Sequence, residues 1–82
     1  MNWHVHISRT TFDAIARLPD EARDALFDLF RSLEDDPYGP TVPYGTDDGI
    51  MREAAFGRWG SVVILVNAHT GRITPVSFTW AG

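Results

Sequence analysis

The residues of this 82-residue chain whose types suit proton transfer or anion binding are few: Arg52, Glu53, Arg58, Arg72 and the three histidines His4, His6 and His69. Breaking a phosphodiester needs a cation over the phosphate and a group that moves a proton near neutrality. Arg52 and Arg58 supply the first, and Glu53 or a histidine the second. Adjacent strand residues point to opposite faces, so Arg52 and Glu53 serve one site only if the strand bulges between them. Glu53 therefore reads either as an acid–base group or as a solvated, salt-bridged strand residue. His4 and His6 share a face, but a pair of imidazoles with no cysteine anywhere in the chain is a poor zinc set, so neither metal nor cofactor is expected. Ser61 follows a glycine but precedes a strand, which rules out a nucleophile elbow.

The bulk properties narrow the classes. A chain of this length makes one domain, residues 1–82, and buries only about 60 to 65% of its unfolded surface. A hydrophobic content of 44% with 22% charge argues against disorder, and without cysteines the fold must stand on packing. No apolar run approaches a membrane span and the N-terminus lacks a signal-peptide pattern, so a bacterial-type cytoplasm is the expected location. The net charge of -4 hides an asymmetry. Residues 1–48 set four arginines against ten acids, whereas residues 49–82 set Arg52, Arg58 and Arg72 against Glu53 alone. All the cations are arginine, whose planar fork suits phosphate or carboxylate, although an arginine-rich genome gives the same composition. A pI near 5.1 is not that of a general nucleic-acid binder.

The run Ser61-Val-Val-Ile-Leu-Val66 is too short for a helix and reads as a central strand covered on both faces. Ile50 to Phe56 precedes it through the glycines of Gly57-Arg58-Trp59-Gly60, and Ile73 to Trp80 follows, which predicts a three-strand meander. In that last strand Thr74, Val76, Phe78 and Trp80 alternate with Ile73, Pro75, Ser77 and Thr79, and Pro75 marks a bulge or the unpaired side. Trp3, Val5 and Ile7 alternate with the histidines as a first, half-buried strand. Thr10 with Asp13 predicts a short helix that ends before Pro19. Pro19 opens a longer helix with Asp20 and Glu21 in its first turn. Its apolar stripe runs through Ala22, Leu26, Leu29 and Leu33, with Phe27 at the edge as a rim core residue or a partner contact. Between Pro37 and Gly49 the prolines and glycines predict neither helix nor regular strand, and Tyr38 and Tyr44 either pin that segment or offer rings for stacking.

The order strand, short helix, Leu18-Pro19 break, long helix closing in Leu33-Glu34-Asp35-Asp36-Pro37, loop, then Gly49-Ile50-Met51-Arg52 and a meander resembles the RelE/ParE superfamily of toxins, over about residues 3 to 79. The resemblance implies an α+β fold, with two antiparallel helices packed on one face of a mostly antiparallel four-stranded sheet in the order β-α-α-β-β-β. It implies a toxin-like component of a type II toxin–antitoxin pair that inhibits translation, as a ribosome-dependent endoribonuclease, or acts on DNA gyrase. The alternative is a catalytically degenerate protein-interaction module on the same scaffold. RelE-like members carry basic residues on the second strand's helix-averted face, an arginine opening the third strand, and a His-Arg or tyrosine at the end. Here Arg52 matches the first position, Ala54 and Ser61 stand at the next two with Arg58 nearby, and Thr79-Trp80-Ala81-Gly82 supplies no such group. The expected catalytic residues are Arg52, Arg58 and Glu53, on an open sheet face that carries Arg52. The expected partner contacts are Phe27, Trp59 and Arg72, facing a cognate antitoxin, with the ribosome and its mRNA or gyrase as target and a homodimer as a further assembly.

Overall fold

The Ser61 to Val66 run forms the middle of a long strand at the centre of a five-stranded sheet in the computed structural model, which describes residues 2–81. In chain order the elements are β1 (His4–Val5), α1 (Arg9–Ala16), α2 (Asp20–Asp35), β2 (Val42–Pro43), β3 (Met51–Phe56), β4 (Gly60–Asn67) and β5 (Arg72–Trp80). The strands lie in the order β1-β5-β4-β3-β2, antiparallel except for β1 beside β5. The expected four strands are thus joined by a fifth, β2, a two-residue edge strand inside the proline-rich loop, where Val42 pairs with Glu53 and Pro43 with Arg52. Pro43 has no N–H to give a ladder, which an edge position tolerates.

Helices cover one face only. Val62, Ile64 and Val66 of β4 point into that layer and are buried with Ile73, Phe56 and Ala54. They meet Ala22, Leu26, Leu29, Phe30 and Leu33 of α2 and Ile15 of α1. Val63 points the other way, yet is only 8% exposed, because β3 and β5 flank it with Glu53 and Ser77 in register. An apolar run therefore marks a central strand here without a second covering layer. The expectation of two covered faces fails for that reason.

Each helix end has its own cause. Ser8, two residues ahead of the expected start, caps α1 with its hydroxyl accepting the Thr11 N–H at 3.2 Å. The Leu18-Pro19 step ends α1 and Asp20 and Glu21 open α2, as the sequence predicts. Arg23 closes the corner between the helices: its guanidinium donates to the carbonyls of Ala16 (3.3 Å) and Leu18 (3.4 Å) and pairs with Asp20. A cation at the C-terminal end of α1 also suits that helix's dipole.

β5 is irregular at the predicted place. Its pairing with β4 slips between Val63 and Ile64, which face Ser77 and Pro75, so Val76 is the extra residue of a β-bulge. The slip puts Phe78 and Trp80 on the core side together with Ile73 and Pro75, instead of opposite them as strict alternation predicts. Both aromatics pack on Phe56, Trp80 stacked at 6.0 Å and Phe78 edge-on at 6.5 Å. The Phe56 ring in turn lies against Gly60, where an added Cβ would sit 2.5 Å from ring carbons. The hairpin glycine Gly57 adopts a φ of 59°, the left-handed conformation its turn requires.

The open sheet face as candidate functional site

Register decides which side chains share the open face. Residues paired across an antiparallel ladder point to the same side, so Arg52, opposite Ile64, and Ala54, opposite Val62, both face the helix layer. The open face instead carries Met51, Glu53 and Ala55 from β3, which shifts the expected basic positions by one residue. The expectation that Arg52 lies on the open face is corrected: packing of Val62, Ile64 and Val66 against the helices fixes the pairing, and Arg52 follows.

On the helix side Arg52 is part of the loop's anchorage. Its Nε donates to the Thr41 hydroxyl at 2.6 Å and its Nη2 to the Thr41 carbonyl at 3.1 Å. Thr41, 6% exposed, donates its own hydroxyl to the Pro37 carbonyl at 2.7 Å. The guanidinium also lies 5.2 Å from the Tyr38 ring centre, and Tyr38 meets Trp3 edge-on at 6.0 Å. Tyr38 thus pins the loop, the first of the two roles its sequence context allowed, with the cation–π contact typical of arginine over an aromatic face.

Glu53 occupies the open face. Its carboxylate accepts the Ser61 hydroxyl at 3.0 Å across the β3–β4 pair. Arg52 and Glu53 are therefore on opposite sides of the sheet, as strand alternation requires without a bulge. Arg58 is exposed in the turn after β3, and Trp59 beside it is 57% exposed. Around Glu53 the face offers hydroxyls and apolar groups, Ser61, Ser77, Thr79 and Val63, and no cation among the paired positions of β3 and β4.

A second set of groups lies at the far end of the same face. The parallel pairing of β1 with β5 puts His4 beside Arg72, and the His6 N–H donates to the Ile73 carbonyl at 2.8 Å, so the first strand's alternation continues past His6. Val5 and Ile73 point to the core, which leaves His4, His6 and Arg72 together on the open face, all exposed. Arg72, expected as a partner contact, joins the two histidines through this pairing. Alternation could reveal the shared face, but nothing local reveals which strand lies alongside. Val5 N–H on the outer edge is satisfied by the Glu34 carboxylate of α2 at 3.0 Å.

The three expected partner contacts do not form one surface. Phe27 packs on Phe30 and, with Phe12 (55% exposed), Ile15 and Arg23, lines a small apolar groove of about 190 Å³ between α1 and α2. Trp59 sits at one end of β4 and Arg72 at the other, roughly 23 Å apart by strand rise. His69 lies in the turn after β4, at a shallow cleft of about 410 Å³ lined also by Tyr38, Asp48, Ile50 and Asn67. There Asp48 accepts the N–H groups of Ile50 (2.8 Å) and Met51 (3.3 Å), which hold its carboxyl below the ordinary carboxylate value. No group of three or more metal-ligating side chains occurs among the described residues, and no helix there is long and apolar enough to cross a membrane.

This arrangement, two helices on one face of a mostly antiparallel sheet with the other face open, is the fold of RelE toxins. It superposes on a chain of the toxin–antitoxin complex RelBE2 from Mycobacterium tuberculosis with a TM-score of 0.82 at 11% identity, covering 99% of this chain and 100% of that one. A mutant of the E. coli toxin RelE in its free state matches with a TM-score of 0.76 at 12% identity, over 99% of this chain and 85% of that one. The archaeal RelE–RelB complex from Pyrococcus horikoshii OT3 gives 0.75 at 19% identity, over 100% of this chain and 98% of the other. No family profile and no curated protein matches the sequence.

Proposed function

We propose that this chain is the toxin-fold component of a type II toxin–antitoxin pair, held by a cognate antitoxin that covers the apolar groove at Phe12 and Phe27. The observation that carries the proposal is the fold: 99 to 100% of this chain superposes on RelE and on chains of two toxin–antitoxin complexes. The exposed aromatics Phe12 and Trp59 fit a protein partner, since buried aromatic anchors commonly contribute ~2 kcal/mol or more each to binding.

The target is translation or DNA gyrase, and the open face supports weak RNA cleavage at best. On that face β3 presents a carboxylate hydrogen-bonded to serine, and Arg52 is turned away and engaged by Thr41. With Arg52 turned away, Arg58, in the turn after β3, is the next cation along the chain. Each missing charge-stabilising contact costs about 10²- to 10³-fold in rate. A catalytically degenerate interaction module is the second reading, and the structural use of Arg52 is the observation that favours it.

The test is to express the chain alone and with the neighbouring open reading frame. Growth arrest relieved by the neighbour, and co-purification of the two proteins, are expected. No arrest and no bound neighbour would overturn the toxin reading. Primer extension on cellular mRNA then separates the mechanisms: codon-positioned cuts lost in Arg58→Ala would show a live ribonuclease. Arrest without cuts, accompanied by altered plasmid supercoiling, would assign gyrase.

A further inference from the structure

The geometry points to a binding site for a phosphate group on the open face where β1 meets β5, formed by Arg72, His4 and His6 with Thr74 and Asn67 beside them. It stands on the strand pairing alone and not on the toxin reading. His4 and Arg72 are register partners and Asn67 is the partner of Arg72 on its other side, so three strands each deliver a polar side chain to one patch about 10 Å across.

Every group there can donate. Arg72 offers a planar fork, the imidazoles offer ring N–H groups, Thr74 offers a hydroxyl and Asn67 an amide. The Asn67 carbonyl oxygen is already committed, accepting the N–H groups of His69 (3.0 Å) and Thr70 (3.3 Å), which leaves its NH₂ for a ligand. Arg72 takes no part in the ion pairs among the described residues, which are Arg23 with Asp20 and Arg31 with Asp28. No acid occurs in β1, β4 or β5: Glu34 of α2 is spent on the Val5 N–H at the outer edge of β1, Asp48, which shares a cleft with Asn67, accepts the Ile50 and Met51 N–H groups, and Glu53 lies roughly 15 Å or more away by strand spacing.

The donor set selects the ligand class. A cationic guanidinium beside two imidazoles repels a metal ion, so the histidines are better suited to an anion than to zinc. Donors reaching in from three strands exceed the two oxygens of a carboxylate and match the three or more acceptor oxygens of a phosphate ester or free phosphate. The arginine fork pairs with two of them in parallel.

The experiment titrates the isotope-labelled full chain with inorganic phosphate, a nucleoside monophosphate and a short single-stranded oligonucleotide, against sodium chloride at matched ionic strength. NMR signals of the His4 and His6 rings and of the Arg72 guanidinium are followed. Phosphate is expected to move all three where chloride does not. Arg72→Gln is expected to weaken binding about tenfold or more, and His4→Val about threefold, as charge-assisted and ordinary hydrogen bonds are lost. Arg31→Gln removes the same charge from the exposed side of α2 and is expected to change nothing. Arg72→Lys, which keeps the charge and loses the fork, is expected to fall between wild type and Arg72→Gln and serves if the glutamine variant does not fold. Tighter binding of the oligonucleotide than of the monophosphate would assign the site to a nucleic-acid backbone, and equal or weaker binding to a free phosphate compound. Absence of shifts beyond those of chloride, or equal losses in Arg72→Gln and Arg31→Gln, overturns the site.

Discussion

The two faces of the sheet are built from the same strands and differ in what fixes them. On the helix side Val62, Ile64, Val66 and Ile73 interlock with α2, and even the charged Arg52 is held there by Thr41 and Tyr38. On the open side Glu53 meets Ser61 at one end, and His4, His6 and Arg72 gather at the other without ion pairs among the described residues. Burial positions one face, and the other inherits its chemistry from that positioning. A side chain's role here follows from register more than from its type.

The sharpest way to break this comparison is to place one charge on each face of β4. Ile64 is 0% exposed, so Ile64→Asp leaves an unpaired carboxylate in the core, which costs several kcal/mol against a total stability of ~5 to 10 kcal/mol. No cooperative thermal transition is expected. Val63→Asp introduces the same group one residue away on the open face, beside Glu53, and is expected to melt cooperatively at a lowered temperature. Equal loss of structure in both variants would mean that the open face is as closed as the core.

Next comes the division between Arg52 and Arg58. Arg52→Ala removes two hydrogen bonds and a ring contact that anchor the loop from Pro37 to Ile50, so urea unfolding is expected to show a loss of ~2 kcal/mol. Arg58 is exposed in the hairpin, and Arg58→Ala is expected to stay within ~0.5 kcal/mol of wild type. The reverse ranking would contradict the structural role assigned to Arg52 and return it to the open-face chemistry.

Much of the helix side was legible in the sequence because it is written in periodicity. The Ala22, Leu26, Leu29, Leu33 stripe, the Leu18-Pro19 break and the unbroken β4 run predict their elements directly, and Pro75 signals the bulge. The open face was less legible, because its membership depends on pairing between distant strands. Arg52 sits one position from where the family pattern would put a helix-averted cation, and only its partnership with Ile64 reveals that. Arg72 belongs beside His4 through a parallel pairing across nearly the whole chain, which no local pattern encodes. β2 was missed because two residues, one of them proline, carry too little alternation to read as a strand.

The smallest expected effect concerns the rim between the faces, where Asp48 caps the start of β3. Its carboxylate accepts the Ile50 N–H first and the Met51 N–H second, and these bonds favour the charged form, so its pKa in the folded protein lies below the ordinary value of 3.8. A carboxylate whose folded pKa is depressed contributes stability above its unfolded pKa and loses it as the pH falls through the folded value. Asp48→Asn, which retains an acceptor oxygen and loses the charge, is therefore expected to lower the urea midpoint slightly at neutral pH. The gap should narrow through the acid range and close once Asp48 itself is protonated. Urea midpoints for both proteins across that range check the sign. A gap that persists unchanged in acid would mean that the cap acts through its hydrogen-bond geometry alone, and the rim would then be set by shape, as the helix side is.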